Sequence, residues 1–278
     1  MTVCISAICE GGNAVVVASD QMVTASFLAL EFEHPGGKIE KISKTCVGLT
    51  AGDALAHTEL FRACRGKIKV LQSPSMELIA QHVKEQFVEL RSKRAEDFFL
   101  KPRGMTLSAF YQDGIMKQLP TELAMGLDNN IQNARFPLEI ILAGVDESGA
   151  HIYGVNDPGV TNCYDRLFYH AIGSGAGHAL LHIIGNNHHE GASIRETLYI
   201  VYEAKKKAEL AQGVGAATEI GFVARAGIRI LSDGEQNLLE DIYIKRMTPQ
   251  LNEVQELITG LPFERCEGSS DGDKEQAA

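Results

Sequence analysis

The sequence predicts an α+β fold in which two antiparallel sheets pack face to face with helices outside. Three observations predict it. Strands arrive as hairpins, helices arrive in pairs, and the hydrophobic period switches between two and 3.6 to give strands, two helices, strands, two helices, strands. Strands in hairpins argue against a doubly wound βαβ sheet, whose strands alternate with crossover helices. The 278 residues suffice for a large core, and 45% hydrophobic with 22% charged residues is ordinary for a globular chain.

In order, Thr2–Cys9 alternates with period two and meets a turn at Glu10-Gly11-Gly12-Asn13. The apolar run Ala14–Ala18 returns from that turn, completing a hairpin. Met22–Phe32 carries a weaker extended pattern, and His34-Pro35-Gly36-Gly37 is a turn by composition. Ile39–Ile42 and Cys46–Thr50 form a second strand pair, closed by Ala51-Gly52-Asp53. At Asp53 the period becomes helical: Asp53–Lys69 has Asp53 as N-cap and Leu55, Leu60, Phe61 and Cys64 near one face. Pro74 suits a first helical turn, and the next helix runs over about 75–99.

The second half repeats the scheme. Thr106–Gln112, Ile140–Val145, His151–Val155 and Phe168–Ile172 read as strands, the last leading into Gly173-Ser174-Gly175. Met116–Pro137 has no clear period and reads as an insertion. Helices follow at about 177–186 and 193–211, the second with Ser193 as N-cap and Glu196 as its capping-box partner. Thr218–Val223 and Gly227–Leu231 form the last hairpin, and a closing helix spans about 249–258. The expected organisation is one domain over 1–266, with an insertion at about 113–137 and a C-terminal helical extension at about 235–266. Residues 267–278 are too polar to pack and are expected to be disordered.

Composition excludes several function classes. With 26 Lys+Arg against 36 Asp+Glu, the net charge of −10 weighs against nucleic acid or an anionic membrane surface as partner. No run approaches the ~18 apolar residues of a membrane helix. Residues 1–20 lack a basic n-region and an unbroken apolar core, so no secretory signal is expected. Six cysteines (4, 9, 46, 64, 163 and 266) lack CxxC spacing, which signals neither a zinc site nor a disulfide framework. The expectation is reduced, mostly buried cysteines in a cytoplasmic protein without metal or cofactor.

The residues at the joints carry a resemblance. They are Thr2 at the N-terminus, Ala18-Ser19-Asp20 closing the first hairpin, Lys38-Ile39-Glu40-Lys41-Ile42, Val47-Gly48-Leu49-Thr50-Ala51-Gly52-Asp53-Ala54, and Ala171-Ile172-Gly173-Ser174-Gly175. Together with the element order, they resemble the proteasome β subunits and their bacterial HslV-like relatives, which are N-terminal nucleophile hydrolases. The resemblance runs from Thr2 to about Val223, interrupted by the insertion. It implies a four-layer αββα sandwich and a set of catalytic residues: Thr2, Asp20, Lys38, Gly52 and Ser174.

Each implied role has a chemical reason. A threonine hydroxyl needs a base within hydrogen-bond reach, and an N-terminal threonine carries its own in the α-amine. Removal of Met1 would expose it. Lys38 corresponds to the lysine beside the nucleophile, which aids proton transfer, and Asp20 to the aspartate that orients that lysine. Gly52 corresponds to the oxyanion N–H donor. Ser174 corresponds to the serine near the threonine amine. One departure stands out: the resemblance implies an Asp and a Ser, three apart, before the final strand pair. The stretch 208–215, AELAQGVG, has neither, and Glu209 is the substitute a turn away.

The resemblance therefore implies a threonine-type amide-bond hydrolase acting on peptide or protein through an acyl-enzyme. It also implies a homo-oligomeric ring, while naming no ATPase partner. An amine intercepting the acyl-enzyme would make the same chemistry a ligase or transpeptidase. A non-catalytic scaffold subunit is the remaining alternative. Other constellations read as structural. His178 and His182 have i,i+4 spacing but no HExxH glutamate, and are taken as helix-surface residues. Lys205-Lys206-Lys207 is taken as a solvated helix face or subunit contact, Cys4 as core, and the glycines of 173–177 lack the βαβ context of a dinucleotide loop.

Overall fold

A computed structural model describes residues 2–25, 30–34, 36–68, 71 and 73–259. Strands β1 (Cys4–Cys9) and β2 (Ala14–Asp20) form the expected hairpin, in register from Cys4↔Ser19 to Cys9↔Ala14. β1 also pairs with β10 (Tyr169–Ile172), and β2 with β11 (Thr218–Ala224), which turns back into β12 (Gly227–Ile230). The result is a five-stranded antiparallel sheet ordered β10-β1-β2-β11-β12. The second five-stranded sheet is a meander of β5 (Ile39–Lys41), β6 (Cys46–Gly52), β7 (Leu138–Val145), β8 (Ala150–Asn156) and β9 (Val160–Cys163). Met22–Phe32, read as extended, contains a separate ribbon of β3 (Met22–Ala25) and β4 (Leu30–Glu33).

The period-two pattern explains how the sheets meet. Cys4 and Ile8 of β1, with Val15 and Val17 of β2, share one buried cluster with Val47, Leu49, Ile141, Ala143 and Ile152 of the second sheet. The other face of that sheet supplies Cys46, Leu138, Ile140 and Leu142 to a second cluster. There they meet Leu60, Phe61 and Cys64 of α1 (Ala54–Ile68) and Ile79, Val83 and Phe87 of α2 (Met76–Ala95). Helices α6 (Ala176–Gly185) and α7 (Ile194–Ala208) pack on the first sheet, where Val201, Ala204 and Ala208 are buried. The architecture is mixed α+β with antiparallel sheets and flanking helices, compatible with a sandwich.

Local signals set the helix starts. Asp53 Oδ1 accepts the Ala56 N–H at 3.3 Å, capping α1. Both halves of the Ser193–Glu196 capping box are formed at α7. Four of the cysteines, 4, 9, 46 and 64, are buried free thiols, whereas Cys163 is exposed; Cys266 and the tail 267–278 lie outside the described residues.

Two expectations are corrected, and the structure of the insertion is added. Thr106–Gln112 is not a strand: Thr106 caps a short helix α3 (Leu107–Tyr111) by accepting from Ala109 N, which places Leu107 and Phe110 on one side. Seven residues of mixed polarity fit either period, and tertiary packing decides between them. Met116–Pro137 is largely helical, with α4 (Ile115–Gln118) and α5 (Thr121–Gln132). Phe110, Leu127 and Ile131 form a small core with Ala95 and Leu100, so this segment closes on the far end of α2. The closing helix begins not near Pro249 but at Asp233, where α8 (Asp233–Thr259) starts.

By its contacts the chain forms two units, Met1–Gln236 and Asn237–Ala278, and the candidate site lies in the first. Among the described residues no helix is long and apolar enough to cross a membrane.

Candidate active site

Thr2 precedes β1, and the turn after β10 fixes its backbone. Gly175 N–H donates to the Thr2 carbonyl at 3.2 Å. The Ser174 hydroxyl accepts the Thr2 N–H at 3.3 Å and lies 3.3 Å from the carbonyls of both Thr2 and Gln212. One hydroxyl thus joins Thr2 to the loop between α7 and β11.

The Thr2 side chain points at the end of β2. Its hydroxyl donates to Asp20 Oδ1, and Lys38 Nζ donates to the same hydroxyl oxygen. Lys38 Nζ also reaches Asp20 Oδ1 at 2.7 Å, so the three side chains close a triangle. The Asp20 side chain is 0% exposed and that of Lys38 14% exposed.

Among the described residues, Asp20 is held by five donors. Thr2, Lys38 and the Val3 N–H (2.9 Å) bind Oδ1, and the N–H groups of Met22 (3.0 Å) and Gly215 (3.1 Å) bind Oδ2. Burial by itself would raise this carboxyl. The Lys38 charge and the hydrogen bonds from Lys38, Thr2 and Val3 outweigh burial and hold it below the ordinary aspartate range. Asp20 is therefore an anion that orients its neighbours, and a weak base.

The turn that delivers Lys38 rests on a carboxylate absent from the sequence expectations. Glu219 of β11 accepts the Ile39 N–H at 3.2 Å. A Cβ on Gly37 would fall 1.8 Å from Glu219 Oε2, so glycine there admits the carboxylate beneath the turn. Burial pushes the Glu219 carboxyl up. The only sequence signal for it is an acidic residue inside an otherwise apolar strand.

Two clefts meet at Thr2. The first, about 400 Å³, lies between the β3–β4 ribbon and the start of α1, with Met22, Phe32, Lys38, Glu40, Thr50 and His57 among its walls. The second, about 550 Å³, lies on the Ser174 side and includes Arg135, Pro137, Glu139, Asn156 and Gly173. Gly52 borders both. Its φ of +121° is a conformation that side chains rarely adopt, and a Cβ would come within 2.1 Å of the Pro137 carbonyl oxygen.

The structure thus brings Thr2, Asp20, Lys38 and Ser174 into direct contact and sets Gly52 beside them at the junction of the clefts. Glu209 is not at Thr2: it binds Lys205 at 2.7 Å and Lys206 at 3.3 Å. Two further readings are corrected. Lys205 is not on a solvated face, because its side chain is 0% exposed. His182 is not simply a surface residue, since it pairs with the buried Glu203 at 3.3 Å and links α6 to α7. Cys4 lies in the core between the sheets, and burial pushes its thiol up. Compared by sequence, the chain matches no protein-family model and no curated protein.

Proposed function

We propose that the chain is a threonine-type amide-bond hydrolase of the N-terminal nucleophile class, built on a four-layer αββα sandwich. The observation that carries this reading is the position of one hydroxyl: Thr2 Oγ1 lies between the Lys38 ammonium and the Asp20 carboxylate. Once Met1 is removed, the Thr2 nitrogen beside Ser174 becomes a free amine, with a pKa near ~8 that suits a general base.

In this mechanism Thr2 Oγ1 attacks the amide carbonyl carbon while its proton passes to the α-amine. Lys38 stabilises the charge that develops on Oγ1, and Asp20 keeps Lys38 in place. The Gly52 N–H is assigned to the oxyanion, a role typically worth ~3 kcal/mol. The proton then moves to the leaving nitrogen as the C–N bond breaks, forming an ester on Thr2. Water, activated by the same amine, cleaves the ester. An amine in place of water would form a new amide, giving the ligase or transpeptidase variant. The substrate class is peptide or unfolded protein, and the working assembly a homo-oligomeric ring.

A second reading, a non-catalytic scaffold subunit, draws support from one observation. No Asp/Ser pair stands before β11, and Glu209 is engaged with lysines. The two readings separate in one experiment. Intact mass first tests for loss of Met1; the purified protein is then incubated with an epoxyketone or a β-lactone. The hydrolase reading expects Met1 loss and one adduct on Thr2 that Thr2→Ala abolishes. A retained Met1, or no adduct in any assembly state, leaves the scaffold.

A further inference from the structure

Besides the half-buried Lys38, a fully buried cation, Lys205, lies near Asp20, and the mechanism above makes no use of it. Its ammonium donates to Glu209 Oε1 at 2.7 Å and to the Ala216 carbonyl at 2.5 Å. A buried ammonium is costly unless it is paired and hydrogen-bonded, and both conditions hold here. Burial draws its pKa down, against the pull of Glu209.

The two partners stand at opposite ends of one loop. Glu209 caps α7, and Ala216 lies two residues before β11. This loop touches the site at three places. Gln212 O accepts from Ser174, the Gly215 N–H donates to Asp20 at 3.1 Å, and the Ala217 N–H donates at 2.7 Å to Glu33 of the β3–β4 ribbon. Its own side chains anchor it little. From Leu210 to Ala217 only Val214 and Gly215 are buried, and Leu210 is 79% exposed. The loop is therefore held mainly through polar contacts, of which the Lys205 tie joins its two ends.

We propose that Lys205 is a positioning residue: with Glu209 it ties together the two ends of the 209–217 loop, whose backbone then holds Asp20 and Ser174 around Thr2. Its catalytic consequence rests on the Thr2 nucleophile reading; the loop geometry does not. Lys205 also adds a fixed positive charge behind Asp20. Removing it favours the protonated form of nearby bases, so the Thr2 amine would titrate at higher pH.

The test uses the full chain with two readouts, amide hydrogen exchange of the 209–217 segment and the pH profile of Thr2 acylation by a β-lactone. Lys205→Met is expected to raise exchange of the Gly215 amide about tenfold or more. It is also expected to slow acylation and move the profile alkaline by about half a pH unit. Should Lys205→Met fail to fold, Glu209→Ala, which removes the acceptor at one end of the tie, is expected to show the rise in exchange. Wild-type exchange in a folded variant overturns the proposal. So does a loop that opens in Lys205→Met while the profile stays unchanged. A wild type never acylated on Thr2 defeats the hydrolase reading instead, and exchange alone then decides the loop tie.

Discussion

The Gly215 N–H donates to Asp20 Oδ2 at 3.1 Å across 195 positions of sequence. The same carboxylate binds Lys38 and Thr2 through its other oxygen. The charge arrangement at Thr2 is therefore completed by a loop far along the chain, just before β11.

Asp20→Asn removes the charge that pairs with Lys38 while keeping the shape. Breaking a buried ion pair leaves its partner uncompensated, and the expected loss is about 3 kcal/mol of stability. Thermal or urea unfolding measures it. The Thr2 adduct should disappear in the same variant even at temperatures where it remains folded. Full labelling would show that Lys38 needs no orienting anion.

Ser174→Ala separates positioning from folding. Among the described residues the hydroxyl bonds only to backbone groups of Thr2 and Gln212, each at 3.3 Å, so a stability change of about 1 kcal/mol or less is expected. Acylation of Thr2 should slow about tenfold to a hundredfold, the range for losing a group that manages a proton. The adduct rate by intact mass is the measurement, and a wild-type rate would count against a role for Ser174.

Gly52→Ala should be the costliest change at the clefts. It forces a Cβ to within 2.1 Å of a backbone oxygen at a residue whose φ is +121°. The backbone of β6 or β7 must shift, and the expected loss exceeds about 2 kcal/mol. Unfolding midpoints check the prediction.

A separate polar cluster contributes to pH dependence. His151 lies 2.7 Å from Asp165 and 3.2 Å from Asp146, and the Ser148 hydroxyl contacts both His151 and Asp146. The hydrogen bond to Asp165 chiefly raises the His151 pKa above its ordinary 6.5. Its stabilisation is thus complete below about 6.5 and is lost as pH rises through the raised folded value. At Asp146, burial is outweighed by hydrogen bonds from Ser148 and the Met76 N–H, and the carboxyl falls to about 2. That contribution is present above about 3.9 and is lost as pH falls toward the lowered value. His151→Gln should therefore lower the melting temperature clearly near pH 5.5 and much less near pH 8.5. Equal losses at both would show that the imidazolium charge is not what stabilises the cluster.

The strands that read clearly are those whose burial is one-sided or complete over several residues. β1 and β2 carry period two or an unbroken apolar run, and their turn has three successive residues, Glu10, Gly11 and Gly12, at positive φ. The Ser193 and Asp53 caps were legible because a cap acts within three residues. Residues 106–112 read as a strand although they form a helix, because their apolar side chains serve a small satellite core against α2. Nothing local distinguishes that arrangement from a strand.

Hairpins, turns and caps are short-range and leave marks in neighbouring positions, so the sequence marks the joints between elements; Thr2, Asp20, Lys38, Gly52 and Ser174 stand out there through the resemblance those joints carry. The tertiary structure decided that Asp20 collects five donors, that Glu219 lies beneath the Lys38 turn, and that Lys205 is buried instead of solvated. These facts depend on where backbone N–H and C=O groups from distant segments come to rest. Every residue carries the same backbone groups, so composition and periodicity hold no record of which ones converge; only packing chooses them.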